Sequence, residues 1–351
     1  MKTVSVALAQ KLCQAVFVDT MNTPPHIADV VIDALIEANL RGIDSHGIRV
    51  LPHYLEKWSV GQIVPGSEPA VVKETKTTAM LDAGQGLGHY ASFVTMNKAI
   101  SSAREHGLGS AVVRQSTHNG AISHYTIQAA HRGMIGIAAT ACAPHVAPYG
   151  GTTGVHGTNP ISYAFPREQD DPLVFDFSTG HSGAKMKNHA EREGLLPENR
   201  VINAAGRPTT NPAELKDGWI LPVAGHVGYG FGLLVDGLTA GLADSPIGRQ
   251  MPLASETSGP YYGSFFALAI CPDAFGGSGP FEERFGYLIH QLESNQPQDP
   301  AKPVRWPGQR GWQFRKQRLR EGIPIPKAQW DSLIERLSAH RVDVGEWLAE
   351  A

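Results

Sequence analysis

The chain contains 351 residues, with 30 basic and 33 acidic side chains and a formal net charge of −3. Hydrophobic residues make up 42% and charged residues 18% of the sequence, a balance that excludes an intrinsically disordered protein. The near-neutral charge provides no electrostatic footprint for nucleic acid or for an anionic membrane, and we expect neither as a partner. At roughly 150 residues per domain, the length predicts about two domains.

Glycine is unusually frequent, since the 38 glycines are about 11% of the chain against a usual level of roughly 7%. Together with the 25 prolines they reach about 18%, which is below the range of roughly 25–30% that is typical of low-complexity chains. We therefore expect many turns and close backbone approaches, as in an enzyme that holds its ligand partly with the main chain.

Cysteine usage and the absence of targeting signals predict a cytoplasmic protein. The three cysteines, Cys13, Cys142 and Cys271, lie far apart and form no CxxC pair. This pattern excludes a disulfide framework and a cysteine zinc site, and it fits a reducing compartment. Gln10 and Lys11 interrupt the mildly apolar start of the chain, and no run approaches the roughly 20 apolar residues of a membrane helix.

The first part of the chain is predicted to be helical. Between Ser5 and Leu40, apolar residues recur at helical spacing and indicate a two-helix unit. The break falls at Thr23-Pro24-Pro25, where Thr23 can cap a helix and the prolines suit its first turn. A further short helix is predicted from Pro52 to Ser59, ended by Gly61.

From about residue 70, short apolar runs separated by glycine and proline predict strands, and segments with helical spacing lie between them. The strand-like runs are Ala79–Leu81, Gly109–Val113, Ile135–Ala139, Val174–Phe177 and Gly218–Val223. The helical segments are Ala91–Glu105, His124–His131 and Phe231–Leu242. Because this order is not a clean βαβ alternation, it predicts a mixed α/β or α+β body over residues 71–281.

The last part of the chain is again helical by its spacing. After Phe281 the pattern continues through Gly286–Leu292 and Lys327–Leu348, and the linker from Gln296 to Trp312 is rich in proline, glycine and glutamine. We therefore expect residues 1–70 and 282–351 to form one helical domain, built from both chain ends, that flanks the central cofactor- and substrate-binding domain.

One glycine motif imitates a dinucleotide fingerprint. Gly84-Gln85-Gly86-Leu87-Gly88-His89 follows a strand-like run and opens a helix, as the phosphate loop of a Rossmann fold does. However, G-x-G-x-x-G would place the third glycine at His89, and no βαβ unit with a following ribose-binding acid is evident. We expect an ordinary glycine turn into a helix here. For the denser glycine cluster Gly225–Gly232, contact with a ligand and an ordinary turn both stay open as alternatives.

Fifteen histidines are many for this length, but their spacing does not indicate a catalytic metal, since there is no H-E-x-x-H. His46 stands in Asp44-Ser45-His46-Gly47, where it can donate or accept a proton in a reaction. The alternative is a structural role in a helix C-cap, with Gly47 in the left-handed region. His118, in His118-Asn119-Gly120-Ala121, follows an apolar run, where α/β folds place functional loops, and a capping histidine is the alternative.

A hydrolase with a Ser–His–Asp triad is the competing function of a different class. It would need a nucleophile elbow with the pattern G-x-S-x-G, and the chain contains none. Ser45 cannot serve His46 as such a nucleophile, because adjacent residues rarely aim at each other. A binding protein without catalysis stays open as an alternative.

Taken together, the motifs resemble those of the malate/L-lactate dehydrogenase superfamily of the non-Rossmann type. The superfamily includes sulfolactate and ureidoglycolate dehydrogenases, diketogulonate reductase and the piperideine/pyrroline-2-carboxylate reductases. The resemblance begins at Arg41–Gly47 and Leu51–Tyr54 and spans nearly the full length. It continues in the same order through His118–Ala121, Ala147–Gly151, Gly157–Pro160, Asp176–Thr179, Gly206–Thr210, Gly228–Gly230 and Pro307-Gly308.

The resemblance implies a homodimeric oxidoreductase that uses NAD(H) or NADP(H) to transfer a hydride to or from a small 2-oxo or 2-hydroxy acid. It also implies a non-Rossmann, largely antiparallel central sheet, which agrees with the failed fingerprint. Within the superfamily the alternative is a reductase of cyclic 2-imino acids. The alternative of a different class is a cofactor-binding relative that has lost catalysis.

The resemblance also implies roles for individual residues. His46 is the implied proton donor with Ser45 beside it, and His118 corresponds to the histidine that serves as the base in some members. Arg49 and Tyr54 are the candidates for substrate binding, Arg49 because a guanidinium can bind a carboxylate through two hydrogen bonds. The implied cofactor contacts are Asp176, Phe177, Ser178, His226 and Arg310.

Two positions depart from the superfamily's pattern. Many members carry the arginine one residue later, where this chain has Val50, and many have a lysine where this chain has His226. Histidine is shorter and mostly neutral at pH 7. The basic residues are Arg310, Arg315, Lys316, Arg318 and Arg320; they predict mainly a solvated helix face, with contact to an NADP 2′-phosphate as the alternative.

Overall fold

A computed structural model describes residues 1–167, 171–253 and 259–345, without the side chain of residue 184. Within these ranges the α-helices are Val6–Gln14 (α1), Pro25–Leu40 (α2), Leu51–Ser59 (α3), Gly88–His106 (α4), Ser123–Ala130 (α5), Gly183–Glu193 (α6), His226–Asp236 (α7), Ser278–Glu293 (α8), Gln309–Glu321 (α9) and Lys327–Ala339 (α10). None of these helices is long and apolar enough to cross a membrane.

The same ranges contain short and long strands. The strands are Lys2–Val4 (β1), Ala70–Glu74 (β2), Thr78–Asp82 (β3), Leu108–Ser116 (β4), Ile135–Ala141 (β5), Pro160–Phe165 (β6), Leu173–Ser178 (β7), Val201–Ile202 (β8), Trp219–Ile220 (β9), Gly263–Ile270 (β10) and Ile323–Ile325 (β11). Seven of them form one sheet in the order β2-β3-β4-β10-β5-β6-β7. In that sheet β3 and β4 pair in parallel and the other described neighbours pair antiparallel. The predicted mixed α/β fold with a largely antiparallel, non-Rossmann sheet is therefore confirmed.

Both faces of the sheet are covered, as the strand pattern requires. The adjacent residues Phe265 and Phe266 of β10 point to opposite faces and join different core clusters, because side chains alternate along a strand. Phe265 packs among side chains of α4 and α5, and Phe266 packs near Val235 of α7. At Gly109 a Cβ atom would overlap the carbonyl oxygen of Ala99, so this glycine lets α4 lie close against β4.

The two ends of the chain meet in a second hydrophobic core. That core contains side chains from residues 4–87 and from residues 323–344, and β1 pairs antiparallel with β11 beside it. By contrast, Ile289 of α8 and Trp312 of α9 pack against Leu173 and Val174 of the edge strand β7. The division into domains at residues 70 and 282 stays a prediction.

Local predictions differ from the structure at a few places. Helix α2 begins at Pro25, but its cap residue is Pro24, and the buried Thr23 hydroxyl has no described hydrogen-bond partner, so the predicted threonine cap is wrong. The motif at residues 84–89 is the expected glycine turn, which leads from β3 into α4. Helix α10 ends at Ala339, and residues 346–348 of its predicted extension lie outside the described residues.

Candidate active site

Two single helical turns between α2 and α3 carry the first group of candidate residues. The turn Asp44–His46 holds Ser45 and His46, and the turn Ile48–Val50 holds Arg49. Both turns are too short to be stable alone, so side chains from outside must fix them. The structure shows two such side chains, Asn39 and Arg318.

Asn39 lies at the end of α2 and is only 2% exposed. Its Oδ1 accepts a hydrogen bond from the backbone N–H of Ile48 at 2.8 Å, and its Nδ2 donates to Oδ1 of Asp44 at 2.8 Å. One side chain thereby ties together the two turns that carry His46 and Arg49. Sequence reasoning missed Asn39, because an amide inside a helical pattern gives no sign of a partner nine residues away.

Arg318 of α9 fixes the same loop from the other side. Its guanidinium donates to both carboxylate oxygens of Asp44, at 2.6 and 3.1 Å, and also to the backbone carbonyl of Asn39. Such a two-point pair with a side chain only 12% exposed restricts geometry far more than a surface pair does. The basic run of α9 is thus not simply a solvated face, since Arg315 also pairs with Glu37 and Lys316 with Asp171.

Gly47 separates the two turns, and its conformation contradicts one expectation. Its φ is −94° and its ψ is −155°, so the left-handed cap proposed for this glycine is wrong, and Gly42, with φ of +78°, has that conformation instead. The reason for glycine at position 47 is space, because a Cβ atom there would overlap the side chain of Asn39.

The structure brings His46 and His118 together. Their rings lie nearly parallel, at an interplanar angle of 16° and with centroids 5.6 Å apart. Nδ1 of His46 lies 2.8 Å from the hydroxyl of Ser45, so the expectation that these adjacent side chains do not face each other is wrong. Among the described residues nothing hydrogen-bonds Nε2 of either ring, and neither atom belongs to the fully buried, unpaired polar atoms. Both Nε2 atoms are therefore open to a ligand.

Tyr54 and His89 lie behind His118. Tyr54 is fully buried, and its hydroxyl oxygen lies 2.6 Å from Nδ1 of His118 and 3.5 Å from Nε2 of His89. His53 contacts His118 edge-on, with ring centroids 5.9 Å apart. We call His46, His53, His89 and His118 the histidine cluster. Sequence reasoning missed His53 and His89 as site residues, although both stand inside motifs that it had selected.

Burial keeps the histidine cluster neutral near pH 7. Desolvation lowers the pKa of His46, and the nearby Asp176 opposes this shift while Arg49 adds to it. Burial also lowers the pKa of His118 well below its ordinary value and that of His89 to about 3. Burial therefore disfavours the protonated form of each imidazole, and a negative charge nearby favours it.

Arg49 is a cation next to His46 without a fixed partner. In the described part of the chain it forms no salt bridge and no hydrogen bond, in contrast to Arg315 and Arg318 of α9. A guanidinium left unpaired beside His46 can bind the carboxylate of a small acid through two hydrogen bonds.

Asp176 links the histidine cluster to the edge of the sheet. It lies on β7, and its Oδ2 accepts a hydrogen bond from the backbone N–H of Ser123 at 3.0 Å. Arg41 lies 3.4 Å from the hydroxyl of Ser123 and stacks on Trp312, with its guanidinium carbon 4.8 Å from the ring centroid. Arg41, Ser123 and Trp312 border a cavity of about 580 Å³, and Nε of Arg41 is buried without a described partner.

The other candidates for cofactor binding lie along or beside β7. Phe177 contacts Phe231 of α7 edge-on at 5.8 Å, and the hydroxyl of Ser178 donates to the carbonyl oxygens of Thr158 and Gly180. The contact with Phe231 holds β7 against α7, and the backbone N–H of Val223, which precedes α7, donates to the carbonyl oxygen of Thr179 at 2.9 Å.

Two helices begin at the two ends of β7. Helix α9 begins beside Val174, which donates a backbone hydrogen bond to Pro307 at 3.1 Å, and it carries the exposed Arg310 in its first turn. Helix α7 begins beside the other end of β7 with the exposed His226. No described contact joins His226 or Arg310 to the histidine cluster. Each helix N-terminus carries a partial positive charge that favours anions.

Comparison with known proteins agrees with this architecture. The sequence model of the malate/L-lactate dehydrogenase family matches residues 4–334. The chain belongs to this family. Membership makes it an oxidoreductase of the hydroxy-acid dehydrogenase type and not a hydrolase.

Two relatives and one solved structure show how far the similarity of this family member extends. A malate dehydrogenase of Pyrococcus abyssi is 32% identical, over 92% of this chain and 91% of the relative. A ureidoglycolate dehydrogenase (NAD(+)) of Escherichia coli O157:H7 is 31% identical, over 92% of this chain and 91% of the relative. The crystal structure of a malate dehydrogenase from Entamoeba histolytica superimposes with a TM-score of 0.90 at 26% identity, covering 98% and 99% of the two chains.

Proposed function

We propose that this protein is a nicotinamide-dependent dehydrogenase of small 2-hydroxy acids, which interconverts them with 2-oxo acids. The observation that carries the proposal is the pair of parallel imidazoles, His46 and His118, with both Nε2 atoms open and with the unpaired Arg49 beside His46. The family of the chain supports the same reaction class.

The proposed substrate has a carboxylate next to the reacting carbon. Arg49 binds this carboxylate, and the oxygen on the neighbouring carbon then lies within reach of the imidazoles. Binding through two hydrogen bonds fixes the direction of the substrate as well as its position. Ser45 holds His46 through Nδ1 and leaves Nε2 for the substrate oxygen.

The residues along β7 fit an extended dinucleotide. Asp176 lies close enough to His46 to shift its pKa, and the N-termini of α7 and α9 meet the two ends of the same strand. We propose that Asp176, Phe177 and Ser178 hold NAD(H) or NADP(H), with His226 and Arg310 near its phosphates. When bound, the nicotinamide supplies or accepts the hydride. The name of the ureidoglycolate relative, which includes NAD(+), supports this class of cofactor.

His46 provides the proton chemistry. When a hydroxy acid is oxidised, neutral His46 accepts the hydroxyl proton at Nε2, and in the reverse direction its protonated form donates that proton to the carbonyl oxygen. The Asp176 carboxylate favours the protonated ring, as its effect on the pKa of His46 indicates. Arg49 disfavours that form until its charge is balanced by the substrate carboxylate.

We further propose that the protein acts as a homodimer in the cytoplasm. Helix α7 and the turn after it expose Phe231, Leu233, Leu234 and Leu242, which are 41–58% exposed. A row of exposed apolar side chains is typical of a surface that a partner covers. Size-exclusion chromatography with light scattering should give about twice the mass of one chain.

A substrate panel tests the proposed reaction. Malate, lactate, sulfolactate and ureidoglycolate should be offered with NAD⁺ and with NADP⁺, and the corresponding 2-oxo acids with the reduced cofactors. We expect turnover of at least one acid pair, which His46→Gln slows by roughly 10²–10⁴. Binding of NADH or NADPH by fluorescence, without turnover of any substrate, would instead identify a cofactor-binding relative without catalysis.

The cyclic 2-imino-acid reductase is the second candidate. It is favoured by Arg49, which stands one position before the arginine of many members and is followed by Val50. Reduction of piperideine-2-carboxylate and of pyruvate should therefore be measured side by side. A value of kcat/KM that is higher for the imino acid would identify this second activity as the main one.

A further inference from the structure

Two side chains behind His118 have no role in the reaction as described above. Tyr54 and His89 are buried, and His89 is only 1% exposed. Tyr54 belongs to α3, His89 to α4, and His118 follows β4, so three separate elements meet at one hydroxyl group. Such a convergence of polar groups inside a core is costly unless their hydrogen bonds are satisfied, and it therefore restricts their protonation.

We propose that the Tyr54 hydroxyl holds His118 in the neutral tautomer that carries its proton on Nε2. In this arrangement His118 is a hydrogen-bond donor to the substrate oxygen, and His46 alone exchanges the proton. Tyr54 and His89 are then positioning residues. This inference rests on the proposed function, but its structural part can be measured without any substrate.

The distances support one direction for the hydrogen bonds. A tyrosine hydroxyl has one proton to donate, and it lies 2.6 Å from Nδ1 of His118 but 3.5 Å from Nε2 of His89. The shorter contact is the one expected for the donated proton. Nδ1 of His118 then accepts, so the single proton of the neutral ring must be on Nε2.

His89 completes the arrangement. Its pKa of about 3 leaves it neutral at pH 7, with one N–H. With that proton on Nε2, His89 donates toward the Tyr54 oxygen, and its buried Nδ1 is left as an acceptor without a described partner. The opposite tautomer would leave a buried N–H donor unpaired at the same place, which is the rarer situation in proteins.

The tautomer determines what His118 can do. Nε2 is the nitrogen to which no described residue hydrogen-bonds and that is open to a ligand. A neutral imidazole with a proton there polarises a carbonyl group without giving up the proton. Two stacked histidines would then have different tasks, which avoids two adjacent positive charges at 5.6 Å.

Nitrogen NMR of the histidine side chains, recorded on the full chain without ligand, tests the tautomer directly. The signal of His118 is identified by its loss in His118→Gln. We expect the neutral Nε2–H pattern from about pH 5 to pH 8, since the ring is surrounded by His46, His53, His89 and Tyr54 and none of these adds a negative charge. A proton on Nδ1, or titration of His118 within that range, would overturn the proposal.

Tyr54→Phe tests the cause, because it removes the hydroxyl and keeps the ring that packs on Phe17. In this variant the His118 signal should show both tautomers or begin to titrate. The matched control is Tyr90→Phe, a change in the residue after His89 that should leave the His118 signal unaltered. An unaltered signal in Tyr54→Phe would refute the role of Tyr54, and if that variant does not fold, the spectrum of the wild-type protein still decides the tautomer.

Kinetics separate this inference from the proposed function. Tyr54→Phe should lower kcat about tenfold and change KM by less than about twofold, because one hydrogen bond to a group that acts in the transition state is lost. A wild-type protein that turns over no hydroxy acid would refute the function and leave the NMR result standing. An active enzyme whose His118 carries its proton on Nδ1 would refute this inference and leave the proposed function standing.

Discussion

His46 and His118 lie with their rings nearly parallel and 5.6 Å apart, although one follows α2 and the other follows β4. The loop of His46 is fixed by Asn39 and Arg318, and the ring of His118 is fixed by Tyr54. Each imidazole is therefore held through groups that leave Nε2 open.

Replacement of His46 by Gln should lower kcat by roughly 10²–10⁴, the usual contribution of a positioned acid or base. Gln fills similar space but cannot exchange a proton near neutral pH. Ser45→Ala, which removes only the hydroxyl 2.8 Å from Nδ1, should have a much smaller effect. Steady-state kinetics in both directions check this expectation, and a kcat in His46→Gln within a few fold of the wild-type value would contradict the assigned role.

The two reaction directions should depend on pH with opposite sign. Burial lowers the pKa of His46 below 6.5, so the neutral base needed for oxidation is present at pH 7 and is lost only at lower pH. Reduction needs the protonated form and should become faster as the pH falls. Values of kcat/KM measured in both directions between pH 5 and pH 9 test this. Parallel profiles would show that a different group exchanges the proton.

Replacement of Arg49 by Met should raise KM for the acid substrate by about 10- to 100-fold, because a charged hydrogen-bonding partner contributes about 1.5–3 kcal/mol. Arg49→Lys should recover part of the affinity but not the two-point geometry. Arg320→Met, an exposed change at the far end of α9, serves as the control for loss of a positive charge. Equal effects of Arg49→Met and Arg320→Met would rule out a specific contact with the carboxylate.

Gly47 and Asn39 should be energetically coupled. Gly47→Ala places a methyl group against the Asn39 side chain and should lower the free energy of unfolding by about 1–3 kcal/mol, as overpacking does. In an Asn39→Ala background the same change should cost less, since the obstructing amide is gone. Urea unfolding of the two single variants and the double variant measures the coupling. Additive effects would show that the loop relaxes independently of Asn39.

His89 should make the protein less stable in acid. Its pKa is about 3 in the folded state and 6.5 as the ordinary value, so between these values the unfolded chain binds a proton that the folded protein does not. Stability is therefore lost as the pH falls below about 6.5. This one residue should lower the free energy of unfolding by about 2 kcal/mol between pH 7 and pH 5.

The variant His89→Gln isolates that contribution. Between pH 7 and pH 5, its free energy of unfolding should fall by about 2 kcal/mol less than that of the wild-type protein. The other buried histidines remain in both proteins, but His89 lowers the pKa of His118, so part of the difference passes through His118. The same pH dependence in the variant and in the wild-type protein would show that His89 is not the source of the acid sensitivity.

The fold was largely predictable from local patterns. The short apolar runs Gly109–Val113 and Ile135–Ala139 are strands, because a strand covered on both faces is apolar along its whole length. The helical spacing at Ala91–Glu105 belongs to α4, because burial of one helix face imposes that period. The predicted Thr23 cap was wrong, because Thr23-Pro24-Pro25 fits two rules for a helix start, a threonine cap and a proline in the first turn. In the structure Pro24 is the cap residue and provides the extended backbone before the helix. Periodicity cannot distinguish such neighbours.

The sequence by itself determined the family, the mixed α/β class and the two motifs that contain His46 and His118. Only the tertiary structure decided that His53, His89 and Tyr54 join them, that Asn39 and Arg318 hold the loop, and that Asp176 lies near His46. The physical reason is that composition and periodicity report which face of a local element is buried. Contacts between distant elements depend instead on strand order and helix packing, which no local pattern contains.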